Sequence, residues 1–168
     1  MKKLASIAVI LLLLTGCNSK NNVNNGGNEQ GNTNNDIVEQ KMTCTLHTND
    51  VVNEYTLDAT YVVTYRNDLV YNVESTEIIK SNSSKVIDYF NDYVTNTYTK
   101  MNESYGGYTY SVNKTSQGLT SKAFIDYEQV NIKKLVEDQP TMKSYVKDNK
   151  ITKEGIKAMY TQMGATCN

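Results

Sequence analysis

The chain alternates apolar and polar residues through much of its length. In residues 41–48, Met42, Cys44 and Leu46 alternate with Thr43, Thr45 and His47. A period of two puts neighbours on opposite faces of a half-buried strand. Asn49-Asp50 is a turn signal. Residues 53–66 alternate for longer: Tyr55, Leu57, Ala59, Tyr61, Val63 and Tyr65 share one side, and Thr56, Asp58, Thr60, Val62, Thr64 and Arg66 the other. After an Asn67-Asp68 turn, Leu69, Tyr71 and Val73 continue the apolar face, opposite Asn72, Glu74 and Thr76. Three strands joined by short turns predict an antiparallel meander.

The period then changes. Val86, Phe90, Tyr93, Thr97 and Met101 recur at helical spacing up to Tyr105. Ser83 or Ser84 would cap this helix with its hydroxyl oxygen, and Gly106-Gly107 would end it. Alternation resumes at Tyr108, Tyr110 and Val112. It continues after a Ser116-Gln117-Gly118 turn in Leu119, Ala123, Ile125 and Tyr127. Residues 131–137 suggest a short helical turn, broken by Asp138-Gln139-Pro140, and Met142, Tyr145 and Val146 form a brief apolar stripe. Thr152 would cap a last helix carrying Ile156, Met159, Tyr160 and Met163, stopped by Gly164. The expected order is β-β-β-α-β-β-α. This is an α+β domain over residues 39–168, with an antiparallel sheet of about five strands and helices on one face. The other face, rich in Thr, Ser and Lys, suits water. Val62 and Phe124 interrupt that polar face, and together they form a candidate binding patch.

Ahead of the domain the pattern differs. Lys2 and Lys3 precede an apolar run over residues 4–14. At about eleven residues it fits a signal-peptide core of roughly 7–15 and falls short of the roughly 20 that span a bilayer. It ends in Leu14-Thr15-Gly16-Cys17, which resembles the bacterial lipobox. That resemblance implies removal of residues 1–16 and a lipid on Cys17, giving stable membrane attachment through two acyl chains. Residues 18–35 are mostly Asn and Gly with little apolar beyond Val23, too polar to offset their ordering entropy. Residues 17–38 then form a tether, and a coil of about 18 residues spans roughly 23 Å. The expected location is the extracytoplasmic face of the cell membrane, with Cys17 as the anchor.

Charge adds one constraint. Without Lys2 and Lys3 there are 15 basic residues against 18 acidic ones, net −3. A weakly acidic domain argues against a nucleic-acid partner, which calls for a basic patch. With Cys17 acylated, Cys44 and Cys167 remain, and outside the membrane an even pair implies a disulfide. The loop it would close, about 120 residues, corresponds to roughly 4–5 kcal/mol in the chain-entropy account. Two free buried thiols are the alternative. A metal site from Cys44, His47 and Cys167 is weaker, because residues 44 and 47 of one strand face opposite sides and a fourth ligand is lacking.

Other chemistry is sparse. His47, the single histidine, falls near a turn on the polar face and reads as a surface residue. No nucleophile elbow, Walker loop, zincin motif or dinucleotide fingerprint occurs. Residues 144–155 lack the first acid and the final Glu of a calcium loop. Asp88 and Asp92, four apart on a helix, read as a solvated face. The thirteen tyrosines are the unusual feature. Tyr55, Tyr61, Tyr65, Tyr71, Tyr108, Tyr110 and Tyr127 fall on the expected inner face as a Tyr-rich core, or alternatively as an aromatic groove for a glycan or peptide.

Met42-Thr43-Cys44-Thr45, the Tyr/Thr strand at 55–65, Ile125-Asp126-Tyr127, Asn149-Lys150-Ile151-Thr152 and Gly164-Ala165-Thr166-Cys167 follow a lipobox and a polar tether. This layout resembles the YehR-like small bacterial lipoproteins, especially their Firmicutes members. The resemblance implies an α+β lipoprotein domain of uncharacterised function, with no catalytic residues, metal or cofactor to carry over. The expected function is therefore non-enzymatic: a surface-anchored domain that binds a protein or envelope component. A glycan- or small-ligand-binding module and an envelope hydrolase are its rivals. A hydrolase would need close carboxylates from residues such as Asp88, Asp92 or Asp126.

Overall fold

In the computed structural model, which describes residues 38–168, the alternating segments pair in chain order. The expected signal peptide, Cys17 and nearly all of the tether lie outside the described residues. β1 (Gln40–Asp50) runs antiparallel to β2 (Tyr55–Arg66) without a break from Gln40↔Tyr65 to Asp50↔Tyr55. The strand thus includes Asn49-Asp50, and the turn falls later, at residues 51–54. There the Asp50 carboxylate accepts from the Asn53 backbone N–H (2.9 Å) and side-chain amide (2.7 Å). Asn67 and Asp68 (φ 48° and 64°) make the expected two-residue hairpin into β3 (Leu69–Lys80). Positive φ at both positions matches the twist of the strands.

Directly after that hairpin the register slips. Tyr65 faces Val70, whereas Thr64 faces Asn72, so Tyr71 has no partner on β2. One extra residue is a β-bulge, and it inverts the in-out phase. Val70 is buried and Tyr71 only half-buried, correcting its expected place on the inner face. From Val73 onward the inward positions are Val73, Ser75, Glu77 and Ile79. The strand also runs four residues beyond Thr76.

Helix α1 (Ser84–Tyr105) follows. Neither serine caps it as expected, since the N-cap Ser83 makes no side-chain cap bond. Instead the Ser81 hydroxyl accepts from the Ser83 N–H (3.0 Å). The buried stripe is Ile87, Phe90, Val94, Tyr98, Met101 and Tyr105, which leaves Val86 and Tyr93 on its flanks. Gly106 (φ 72°) and Gly107 (φ 77°) reverse the chain into β4 (Tyr108–Lys114), which pairs with β5 (Gly118–Asp126). β5 in turn pairs with β3. Tyr127 falls in the turn beyond β5, and its N–H donates to the Tyr71 carbonyl (2.8 Å).

The remainder is short elements. α2 (Ile132–Asp138) is capped by Asn131, whose side chain accepts from the Lys134 N–H. A 3-10 helix (Pro140–Tyr145) leads to a small hairpin of β6 (Val146–Lys147) and β7 (Lys150–Ile151). Thr152 caps α3 (Lys153–Gln162) through the Gly155 N–H, as its sequence predicts. The chain closes with β8 (Thr166–Cys167) against β1. The main sheet therefore has six strands, ordered β4-β5-β3-β2-β1-β8, beside a separate two-stranded sheet. Two-residue strands are too short for alternation to reveal, which explains the difference from five. Leu57, Ile79, Phe90, Leu119, Leu135 and Ile156 fill the core under the helices. Each such side chain contributes about 1.5–3 kcal/mol on burial.

Gly107 holds the reversal under pressure from both sides. An added Cβ would lie 2.6 Å from the Asp126 carbonyl oxygen and 2.7 Å from Val130 Cγ2, at a φ that L residues rarely adopt. Gly107→Ala is expected to cost at least about 2 kcal/mol of stability, read by thermal or urea unfolding.

Candidate functional site

The bulge in β3 sets the chemistry of the interior. It places Glu77 on the inner face, with 7% of its surface exposed. Its neighbours across the ladders are Ala59 on β2 and Ser121 on β5. In the next inward row Ser75 lies between Tyr61 and Ala123. These small side chains leave depth for aromatic rings from the helices. Tyr98 of α1 reaches down until its hydroxyl is 3.4 Å from Ser75 Oγ. Tyr160 of α3 stacks on Tyr61, with ring centroids 4.3 Å apart and planes 16° from parallel.

Tyr61 joins both halves of this arrangement. Its ring carries Tyr160, and its hydroxyl donates to Glu77 Oε1 at 3.2 Å. Burial pushes the Glu77 carboxyl above the ordinary carboxylate range, and the Tyr61 bond opposes that shift. Burial likewise lifts the phenols of Tyr61, Tyr98, Tyr108, Tyr127 and Tyr160, keeping them neutral. Ser121, directly opposite Glu77, is fully buried, and its Oγ has no hydrogen-bond partner. Glu77 went unread in the sequence because the strand was ended at Thr76. The signal was available: alternation carried from Val73 to Ile79 puts a glutamate at an inward position.

The tyrosines expected on the inner face divide. Tyr55, Tyr61, Tyr65 and Tyr108 are buried, Tyr110 and Tyr127 are partly buried, and Tyr71 is displaced by the bulge. Their hydroxyls and those of the helices find polar partners: Tyr110 with Thr99 (2.9 Å), Tyr105 donating to Asp138 (3.2 Å) and Tyr145 to Gln162 (2.8 Å). The face is a packed core whose polar tips tie elements together. Covered by helices, these buried rings do not form an open platform for a glycan.

The other sequence-derived residues are spread apart. Val62 and Phe124 do share a cross-strand row, but Glu74 stands between them in it. Two strand spacings put them about 10 Å apart, so a carboxylate interrupts the apolar patch. Asp88 pairs with Lys114 (2.6 Å) on the surface, Asp92 accepts from Asn91, and Asp126 accepts from the Glu128 N–H and the Gln129 amide in a turn. These carboxylates serve surface contacts and a turn. His47 faces solvent, with Nδ1 2.6 Å from Asp58. Among the described residues no group of three or more His, Cys, Asp and Glu is placed to hold a metal. No described helix is long and apolar enough to cross a membrane.

Cys44 and Cys167 are bonded to each other across 123 residues. They face one another in the β1–β8 register, flanked by reciprocal backbone bonds between Thr43 and Asn168 (3.1 and 2.9 Å). Joined to each other in this way, the two sulfurs are not available as metal ligands.

An α+β domain with helices over an antiparallel sheet and a tyrosine-lined interior is the class that this geometry defines. No family model matches the chain, and no curated protein matches it. Among solved structures, the NMR structure of the Escherichia coli protein YehR is similar, with a TM-score of 0.51 at 16% identity, covering 79% of this chain and 92% of that one. The NMR structure of a protein from Streptococcus pneumoniae TIGR4 gives a TM-score of 0.49 at 11% identity, covering 91% of this chain and 99% of that one. The chain thus has the YehR-like fold that its sequence motifs implied.

Two measurements check this account. Reducing the disulfide, or replacing both cysteines by Ala, is expected to cost about 2–5 kcal/mol in urea unfolding. Ser121→Ala is expected to stabilise by about 1 kcal/mol, because it removes a buried hydroxyl without a partner. A loss of similar size would instead reveal a partner for Oγ.

Proposed function

We propose that this chain is an extracytoplasmic lipoprotein, held to the cell membrane by lipid on Cys17, whose domain is a non-catalytic binding module for a protein or envelope component. The observation that carries the reading is the Cys44–Cys167 disulfide. Disulfides persist in oxidising compartments. A bonded pair in the folded domain therefore agrees with the export that the leader and lipobox motif suggest. The tether expected over residues 17–38 would then let the domain stand off the lipid.

The direction of β1 supports outward display. The tether enters at Gln40, and eleven residues carry β1 about 35 Å to the far end of the sheet. That far end presents Val51 and Val52, 78% and 90% exposed, at the tip of the β1–β2 loop. The loop around Ser81 and the β4–β5 turn lie at the same end, because Lys80 pairs with both Thr56 and Gly118. This end is the proposed contact surface. The single histidine lies on the outer sheet face and the buried carboxyl of Glu77 lies beneath the helices, an arrangement suited to binding rather than turnover.

Cys17→Ala tests the anchor. The expected result is loss of metabolic labelling by a palmitate analogue, with the protein unprocessed or released to the medium. Unchanged labelling refutes the reading.

A further inference from the structure

Glu77 is a buried carboxyl beside which, among the described residues, no cation is paired. The titratable groups that face it are Tyr61 from β2, Tyr93 and Tyr98 from α1, and Tyr160 from α3, all phenols. Tyr127 is a further phenol that interacts electrostatically with Tyr98 and Tyr160. β5 contributes only the Ser121 hydroxyl. A carboxylate ionised in such a place has to be hydrated, because burying an unpaired charge costs several kcal/mol, on the order of the domain's whole stability.

The way for water to enter is set by what covers the site. α1 is pinned by six buried side chains along 22 residues. α3 has 10 residues and buries Gly155, Ile156 and Tyr160. Tyr160 rests on the ring of Tyr61, whose hydroxyl holds Glu77. α3 is secured at its two ends, by the Leu69–Thr152 bridge before it and by disulfide-tied β8 after it. It can therefore lift from the sheet without the chain letting go, and the least-anchored cover is the one that opens first. The partnerless Ser121 Oγ gives entering water a second polar contact beside the carboxylate.

We propose that Glu77 is a proton-operated latch for α3: protonated, it lets the Tyr61–Tyr160 stack close over it, and ionised, it draws water beneath Tyr61 and loosens α3 from the sheet. The closed state holds the proton to higher pH than the open state does. The closed form is therefore favoured fully in acid. It loses ground as pH rises through the interval between the two values, then levels off.

Hydrogen exchange of the full chain in detergent, followed from about pH 5 to pH 9 with intrinsic rates divided out, tests this. Protection of α3 relative to α1 is expected to fall with pH, by about tenfold for each unit separating the closed and open values of Glu77. Glu77→Gln should make the ratio independent of pH. Tyr61→Phe should move the transition to higher pH, because it removes the bond that favours the carboxylate; a purely structural role for Tyr61 would not move it. A pH-independent ratio in the unaltered chain overturns the proposal. So does a transition that survives in Glu77→Gln, or equal loss of protection in α1 and β2. If Glu77→Gln does not fold, Tyr61→Phe alone decides by the direction of its shift.

Discussion

The hydrogen bond from Tyr61 to Glu77, with Tyr160 stacked on the same ring, is the contact on which the interior is arranged. A sheet face this rich in tyrosine cannot pack as a purely apolar layer. Each buried ring brings a hydroxyl that must keep a partner or lose free energy. Thr99 of α1 accordingly meets Tyr110 of the sheet, and between helical segments Asp138 meets Tyr105 and Gln162 meets Tyr145. The result is a core in which orientation is set by directional bonds as well as by volume. Ser75, Ser121, Ala59 and Ala123 give the rings their depth.

Glu77 keeps such a partner in Tyr61, but it is the one acidic side chain among the described buried polar residues. Its single inward carboxyl lies among neutral phenols, opposite a serine hydroxyl without a partner. A hydrophobic side chain there would hold the fold better, which makes the glutamate a feature that stability alone does not explain. The disulfide works at the β1–β8 edge of the sheet. It secures a two-residue strand that two reciprocal backbone bonds would hold weakly, and so keeps α3 tethered whatever the state of the contact beneath it. Between them, the disulfide and the Tyr61 bridge hold the end and the middle of the C-terminal segment.

Much of this was legible in residue order. Alternation placed β1, β2, β4 and β5 to within a few residues, and the Asn67-Asp68 hairpin, the Thr152 cap and the Gly106-Gly107 reversal followed from local backbone preferences. Compartment logic pairs Cys44 with Cys167, and the β1–β8 register sets them face to face. What failed was phase and capping. The bulge moved Tyr71 off the inner face, the buried stripe of α1 also runs through Ile87, Val94 and Tyr98, and the Ser83 hydroxyl makes no cap bond.

The sequence by itself determined the element types and the antiparallel class, and it proposed Cys44 and Cys167 as a pair, because these depend on periodicity and counting along the chain. The tertiary structure alone decided that Ser121 opposes Glu77 without a partner, and that Glu74 divides Val62 from Phe124. Those facts depend on register, and in an antiparallel sheet a slip of one residue exchanges every inward side chain for an outward one. The pattern on a single strand does not report such a slip; the pairing with its neighbours does.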